Sequence, residues 1–235
     1  MRQYEHLQCG PDRLRVGRWR ADPSVAELTS LVGTRPPERH SVEKGLELIA
    51  SRGFRRVVTN ALSPAEQVGY IRAGFQVHER LHLLAHDLRD IPPAPTGAVL
   101  RRGHRWDHPA LLAVDAAAFD PFWRLDAAGL RDAIAATPSS RLRVARVDGV
   151  AGYAVTGRAG GRGYLQRLAV HPERHRHGIG TALVVDALRW LRRHGGTMAL
   201  VNTQEVNGPA LHLYRSLGFT DRPDGLAVLS FEFGS

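Results

Sequence analysis

Residues 168–183 (LAVHPERHRHGIGTAL) combine residue types that can hold a phosphate. The apolar, β-branched stretch up to Val170 predicts a strand, which Pro172 ends because proline cannot donate to a ladder. Gly178 and Gly180 precede residues 181–193, where apolar residues recur at helical spacing. The first N–H groups of a helix are unpaired, its dipole favours an anion, and glycines allow close approach. The sequence therefore predicts a pyrophosphate site between this strand and this helix.

A second motif, residues 207–219 (NGPALHLYRSLGF), follows a predicted strand over residues 197–203. Asn207 is typical of a helix N-cap, and Pro209 is tolerated in the first turn. Gly218 predicts a left-handed C-cap. The apolar residues between them, including Tyr214, recur at helical spacing and share a face. Taken alone, Tyr214 could equally be a half-buried core tyrosine.

Together these two motifs resemble those of the GNAT superfamily of N-acetyltransferases. Its acyl-CoA loop reads V-x-P-x-x-[RQ]-x-x-G-x-[GA], and its later signature reads N-x-x-A-x-x-L-Y-x-x-x-G-F. His175 replaces the Arg or Gln of the loop, which weakens one side-chain contact. The resemblance implies an α/β (α+β) GNAT fold, a mixed and mostly antiparallel sheet flanked by helices. It also implies acetyl-CoA as cosubstrate, no metal, and direct attack of a primary amine in a ternary complex.

The resemblance further implies roles for individual residues. The strand residues Leu168, Ala169 and Val170 would receive the pantetheine. Asn207 would face the pantetheine or its amides, and Tyr214 would protonate the leaving thiolate. The pyrophosphate would lie on the backbone amides of His175, Arg176, His177, Gly178, Ile179, Gly180 and Thr181.

The general base is not specified by these motifs. Many members of the superfamily carry a glutamate near the start of the strand before the loop, but residues 162–167 (RGYLQR) contain no carboxylate. Three alternatives stay open: Glu205, Asp120, or a water molecule held by backbone carbonyls.

Aromatic residues Phe119, Phe122 and Trp123 surround Pro121 between two predicted helices. In GNAT proteins this segment lines the acceptor pocket, so the resemblance implies an aromatic-walled amine site. The equal alternative is a loop that its large side chains pin to the core.

Twelve histidines raise the question of a metal. One trio lies in the loop, at His171, His175 and His177, where ring donors beside a pyrophosphate are the simpler interpretation. The other trio, His78, His82 and His86, falls in a predicted strand. A spacing of four residues there separates neighbours by about 13 Å, too far to share an ion. We expect no metal site.

Composition narrows the class of protein. The 235 residues, 43% of them hydrophobic, suit one large or two small domains with a proper core. No apolar run approaches the roughly 18 residues of a membrane helix, and the N-terminus lacks the apolar core of a signal peptide. The single cysteine, Cys9, cannot form an intramolecular disulfide and indicates a reducing cytoplasm.

The net charge of +9 makes nucleic acid a possible partner. However, the arginines are spread along the chain without a basic tail, and an anionic cofactor is a sufficient use for a basic cleft. We therefore do not expect specific nucleic-acid binding. Lys44 is the only lysine, which, with the abundant alanine, is typical of GC-rich coding sequences such as those of actinobacteria.

The proline-rich residues 91–97 predict a linker. After it, residues 98–235 read as one complete GNAT unit, with predicted strands at 98–102, 141–147, 150–158, 163–170, 197–203 and 227–233. Before it, residues 1–90 resemble a partial, degenerate GNAT-like domain. Residues 63–75 echo 207–219, with Tyr70 at the place of Tyr214, but no paired glycines precede them. This tandem layout resembles that of the mycothiol synthases.

The motifs thus predict an acetyl-CoA-dependent N-acetyltransferase that acts on a small-molecule or peptide amine, as a monomer or homodimer. Two alternatives from other classes stay open. One is a non-catalytic protein that binds or senses acyl-CoA, which the missing glutamate favours. The other is a basic adaptor that binds a protein or ribosomal partner.

Overall fold

The computed structural model describes residues 4–20, 22–31, 34–97 and 99–234. Its strands are β1 (Glu5–Cys9), β2 (Asp12–Arg18), β3 (Val25–Ser30), β4 (Arg56–Val58), β5 (Gln76–His86), β6 (Val99–Arg102), β7 (Ser139–Arg146), β8 (Val150–Ala159), β9 (Arg162–Val170), β10 (Met198–Gln204), β11 (Thr220–Asp221) and β12 (Leu226–Glu232). Its helices are α1 (Arg39–Ser51), α2 (Pro64–Arg72), α3 (His108–Ala118), α4 (Ala127–Ala135), α5 (Ile179–Arg193) and α6 (Gly208–Ser216). Single 3₁₀ turns occur at Arg105–Asp107, Pro121–Trp123 and Pro172–Arg174.

The chain divides into two compact units. The larger unit contains residues 84–201 and 207–221, and the smaller one contains the described parts of residues 2–83, 202–206 and 222–235. This grouping differs from the linear boundary at residues 91–97, because the C-terminal strand β12 joins the N-terminal unit. The predicted element at 98–102 starts, in the described residues, at Val99, and Ala98 lies outside them.

The N-terminal unit has strands in the order β1-β2-β3-β4-β12-β5. Neighbours are antiparallel except for the parallel pair β3 and β4, and β12 pairs through Phe231 with Val57 and through Val228 with Glu79. The sequence predicted only half a sheet here and did not predict β1 to β3. A two-residue turn that contains Gly10, with φ of 62°, joins β1 to β2.

Helices α1 and α2 close the core of this unit. The Ser63 N-cap of α2 forms a capping box with Glu66. The N-cap of α1 is Glu38, and Ser41 lies inside the first turn of that helix. The fully buried residues Ile49 and Tyr70 pack in this core.

The larger unit has strands in the order β10-β9-β8-β7-β6, mixed because β10 and β9 are parallel. The hairpin turn between β7 and β8 contains Asp148 and Gly149, which both have positive φ. Helices α3 and α4 pack on one face against Tyr153 and Val155 of β8, whereas α5 packs on the other face against Ala154. Alternate residues of β8 and β9 therefore face different helices.

Candidate active site

Strands β9 and β10 pair only at their beginnings. The pairs are Met198 with Arg162, Ala199 with Gly163, and Leu200 with Tyr164. No further pair joins the two strands within the described ranges, whereas β9 continues along β8 as far as Val170. Residues 165–170 of β9 therefore have one backbone edge that no β10 residue covers. A linear molecule with amide groups can bind such an edge as an added strand does.

A β-bulge lies where this open edge starts. Opposite β8, the register passes from Arg167 against Val155 to Leu165 against Thr156, so Gln166 is the extra residue. A bulge bends its strand and redirects the neighbouring side chains. Beyond it, Leu168 packs towards α5 and Ala169 towards α3 and α4. The predicted pantetheine residues Leu168, Ala169 and Val170 thus lie together on the open part of β9.

The predicted phosphate loop leads from β9 to the start of α5. Arg176 and Gly178 have φ of 65° and 72°, and the left-handed Gly178 is the N-cap of α5. The first helical hydrogen bond runs from the Ala182 N–H to the Gly178 carbonyl, at 2.9 Å. In the described part of the chain, the N–H groups of Ile179, Gly180 and Thr181 have no acceptor, and no side chain caps them. These unpaired donors and the helix dipole fit a pyrophosphate.

The loop histidines are turned back onto the loop itself. Nε2 of His175 lies 3.0 Å from the carbonyl oxygen of Val170, and Nδ1 of His177 lies 2.7 Å from the carbonyl oxygen of His175. Both side chains are exposed. They therefore stabilise the loop conformation, and the backbone donors form the anion site.

Neighbouring residues restrict the space at both glycines. A Cβ atom at Gly180 would lie 3.2 Å from Cδ2 of Leu213 on α6. At Gly178 it would lie 3.3 Å from the ring of Pro95, and the positive φ would be strained for any residue with a Cβ. The first turn of α5 is thus closely packed, and glycine avoids strain or contact at both positions.

Helix α6 carries Asn207 and Tyr214 as the second motif predicts. Asn207 is the N-cap, and its Oδ1 accepts a hydrogen bond from the Ala210 N–H at 3.1 Å. The Tyr214 ring is buried, with its centroid 5.5 Å from that of Phe219. Burial raises the pKa of the Tyr214 hydroxyl well above its usual value. The hydroxyl therefore keeps its proton at neutral pH and can act as a hydrogen-bond donor.

A buried ionic network on the opposite face of β9 was not predicted from the sequence. Asp115 of α3 is fully buried and accepts hydrogen bonds from Nε and Nη2 of Arg167, both at 2.7 Å, and from the Tyr153 hydroxyl at 2.5 Å. The Leu125 N–H donates to the same carboxylate at 2.8 Å. The sequence contains one indication of this network: Asp115 lies on the apolar face of residues 108–118, and Arg167 lies at a position of β9 that faces the core.

This network fixes the aromatic segment between α3 and α4. Nη2 of Arg167 also donates to the Trp123 carbonyl at 2.8 Å, and its guanidinium lies 3.5 Å from the centre of the Phe119 ring. Phe122 and Trp123 are half-buried and meet edge to face at 5.0 Å. The aromatic segment is therefore attached to β9 directly beside the bulge.

The candidate bases are not brought to this strand. Asp120 is exposed, and its carbonyl accepts the N–H of Trp123 in a 3₁₀ turn. Glu205 is exposed and groups with the other unit, where its N–H donates to the carbonyl of Arg80. Asp115 is close to the bulge, but four hydrogen bonds already occupy its two oxygens.

The N-terminal unit closes its own counterpart of the phosphate loop. Asp12 accepts the N–H of Glu38, the N-cap of α1, at 2.9 Å and is paired with Arg35 at 3.1 Å. The Asp12 carboxylate thus lies at the N-terminus of α1, where a bound anion would otherwise lie. A Cβ atom at Gly69 of α2 would lie 2.0 Å from the Pro37 carbonyl oxygen, so the helix lies directly against the loop. Beside this contact, the loop and α2 border a cavity of about 760 Å³, whose lining includes Arg39, Glu43 and Arg72.

Over residues 4–20, 22–31, 34–97 and 99–234, no three His, Cys, Asp or Glu side chains are grouped so that they could hold a metal ion. In the same ranges, no helix has the length and apolar character needed to cross a membrane.

Comparison with known proteins identifies the segment that carries this site. Residues 108–219 match the sequence model of the acetyltransferase (GNAT) family. A mycothiol acetyltransferase from Segniliparus rotundus is 39% identical over 67 residues, which make up 28% of this chain and 25% of that protein. The chain therefore spans only a quarter of the length of that relative.

Two solved structures resemble the chain over most of its length. One is a tandem GNAT protein from the clavulanic acid biosynthesis pathway, with a TM-score of 0.69 and 18% identity over 95% of this chain and 79% of that one. The other is a GCN5-related N-acetyltransferase from Kribbella flavida, with a TM-score of 0.69 and 18% identity over 99% of this chain and 91% of that one. At this identity the likeness shows the fold. The chain thus has the GNAT fold, and the open edge of β9, the loop and α6 lie within residues 108–219, the segment that matches the acetyltransferase (GNAT) family.

Proposed function

We propose that the larger unit transfers an acetyl group from acetyl-CoA to a primary amine by direct attack in a ternary complex. The observation that carries the proposal is the open edge of β9, which leads directly into unpaired N–H groups at the start of α5. This arrangement offers an amide-binding strand and an anion site in one line. Pantetheine and pyrophosphate occur in the same order in CoA.

In this proposal, strand β9 and the loop that follows it bind different parts of CoA. The backbone of Leu168, Ala169 and Val170 binds the pantetheine, and the amides of residues 175–181 bind the pyrophosphate. When bound, acetyl-CoA supplies a thioester that an amine can attack. The chain contributes mainly by positioning the two reactants, which is the largest source of rate in such a reaction.

Proton transfer is the second contribution of the chain. Tyr214, a phenol that carries its proton at neutral pH, donates to the thiolate as it leaves. Backbone N–H groups at the bulge around Gln166 stabilise the oxyanion. Because Asp120 and Glu205 are exposed and Asp115 is fully hydrogen-bonded, we assign the proton of the amine to a water molecule held by backbone carbonyls.

The acceptor lies on the side of β9 that carries the aromatic segment. Arg167 and Asp115 hold Phe119 and Trp123 there, which supports an aromatic-walled amine site. The class of amine, small molecule or peptide, stays open. The single cysteine, which is buried, supports a reducing compartment as the place of action.

Calorimetric titration of CoA into the full chain tests the binding half of the proposal. Replacing Gly178 or Gly180 by valine should weaken binding by about 10-fold or more, because the side chain would press on Pro95 or Leu213 and displace the N–H groups of the first turn of α5. Gly195→Val is the matched control: its φ of 78° is similar, nothing lies within 4 Å of its Cβ position, and it lies beyond the other end of α5. Equal CoA affinity of all three variants and the wild type would contradict the proposal.

Release of CoA thiol in the presence of a panel of amines tests the catalytic half. A second candidate function, binding of acyl-CoA without catalysis, is favoured by the lack of an available carboxylate beside β9. Amine-dependent thiol release that Tyr214→Phe reduces supports catalysis. Tight CoA binding without release for any amine supports the second candidate.

A further inference from the structure

A basic pocket lies in the larger unit, apart from the phosphate loop. It has a volume of about 670 Å³, within the range of about 300–1,000 Å³ that small-molecule sites have. Its lining contains five arginines, two histidines and no carboxylate. The arginines are Arg102, Arg105, Arg131, Arg141 and Arg143.

The pocket forms where the edge strand β6 ends. The last pair between β6 and β7 is Arg102 with Arg143, followed by one hydrogen bond from the Gly103 N–H to the Leu142 carbonyl at 2.9 Å. The chain then turns away, so residues 139–141 of β7 have no partner strand on this side. Arg131 of α4 and Trp190 of α5 border the opening. Trp190 is ten residues beyond Gly180, or about 15 Å along the helix.

Positive charge in the pocket is only partly compensated. Asp186 of α5 is shared by Arg141 and Arg143, with ion-pair distances of 3.2 Å to each. The side chains of these three residues are only 19–24% exposed. Arg102, Arg105 and Arg131 have no ion pair with any residue that the structure describes. A multiply charged anion would therefore gain several charge-assisted hydrogen bonds in this pocket.

An exposed aromatic pair borders the same arginines. Trp106 is 68% exposed, and its ring stacks on His104 with a centroid distance of 4.5 Å and an angle of 13°. His104 and Arg105 both line the pocket. The side of Trp106 away from His104 offers a flat surface on which a nucleobase can stack, as bases do on aromatic side chains of nucleotide-binding proteins.

We propose that this pocket binds a nucleoside polyphosphate, with its phosphates on the arginines and its base on Trp106. Phosphate groups match the planar, multiply donating guanidinium ions, and a volume of about 670 Å³ fits a single nucleotide. The site is separate from the acetyl-transfer site and does not depend on the proposed function.

Calorimetric titrations of ATP and of inorganic triphosphate into the full chain test this inference. Arg141→Gln and Arg131→Gln should each weaken both ligands by about 10-fold or more, since each removes a charged contact. Arg131 is exposed on α4, so its replacement keeps the test valid if Arg141→Gln fails to fold. Arg146→Gln is the matched control, an exposed arginine on the same strand outside the pocket, and should bind as the wild type does.

Trp106→Ala separates the base from the phosphates. It should weaken ATP by about 10-fold, the value of one stacked base, and leave triphosphate unchanged. The nucleotide assignment would be overturned if ATP and triphosphate bound with equal affinity and Trp106→Ala changed neither affinity. No ATP binding at millimolar concentration would overturn the site. The site would also be overturned if Gly178→Val abolished ATP binding and the pocket variants left it intact, because ATP would then occupy the phosphate loop.

Discussion

Replacing Arg167 by methionine tests whether the buried ionic network supports both the fold and the acceptor side. The side chain of Arg167 is 11% exposed and that of Asp115 is 0% exposed, and two hydrogen bonds of 2.7 Å join them. Methionine keeps part of the volume but leaves the buried carboxylate without its counter-charge. Removing one partner of a buried pair costs about 3–5 kcal/mol of the free energy of unfolding.

The structure places the expected loss at the lower end of that range. After the replacement, Asp115 still accepts hydrogen bonds from the Tyr153 hydroxyl at 2.5 Å and the Leu125 N–H at 2.8 Å. We therefore expect a loss of about 3 kcal/mol. For a chain of this size, 1 kcal/mol corresponds to roughly 2–4 °C, so Tm should fall by roughly 6–12 °C.

Urea and thermal unfolding of a double-mutant cycle check this value. Asp115→Asn with Arg167→Met removes both charges but keeps an acceptor oxygen for the Tyr153 hydroxyl and the Leu125 N–H, so it should recover much of the stability that Arg167→Met loses. In enzyme assays, Arg167→Met should raise the KM for the amine more than it changes CoA affinity, because its contacts fix the aromatic segment and not the loop. A loss below about 1 kcal/mol, or a double variant no more stable than Arg167→Met, would refute the reasoning.

Three further predictions concern other parts of the chain. Tyr214→Phe should lower kcat by about 100-fold and leave the Kd of CoA nearly unchanged, since the hydroxyl acts only as the thiolate leaves; equal turnover in steady-state assays would reduce Tyr214 to a packing role. Calorimetry should find one CoA per chain, because the Asp12 carboxylate already accepts the Glu38 N–H in the N-terminal counterpart, which also lacks paired glycines; two equivalents would contradict this. Burial raises the pKa of Tyr70 to about 12, so its contribution to stability is complete below about pH 10 and is lost as the pH rises through about 12. Urea unfolding between pH 9 and 12 should show a steeper loss for the wild type than for Tyr70→Phe, and parallel curves would disprove it.

Local features of the sequence determined the candidate site. Pro172, Gly178 and Asn207 act within a few residues of themselves, by ending a strand or starting a helix, so their effects are legible without the rest of the chain. The predicted strand before the loop and the helices of both motifs were confirmed within a few residues. Residues 108–219, which contain both motifs, also match the GNAT family.

Tertiary structure decided which distant segments pair. Strand β12 is a simple apolar strand in the sequence, and nothing in residues 226–232 indicates that it pairs with β4 and β5 of the N-terminal unit. Pairing between strands depends on long-range contacts that a periodic pattern does not encode. For the same reason, the sequence pattern alone did not predict β1 to β3, which are defined by their pairing within the sheet.

The ionic network shows the same limit for side chains. Asp115 and Arg167 are 52 residues apart, and each alone is an ordinary polar residue on a mostly apolar element. Only the packing of α3 against β9 removes both from water and makes their pairing necessary. The sequence by itself thus determined where an anion can bind, through local backbone geometry. The fold decided what surrounds that site, because burial is a property of the whole chain.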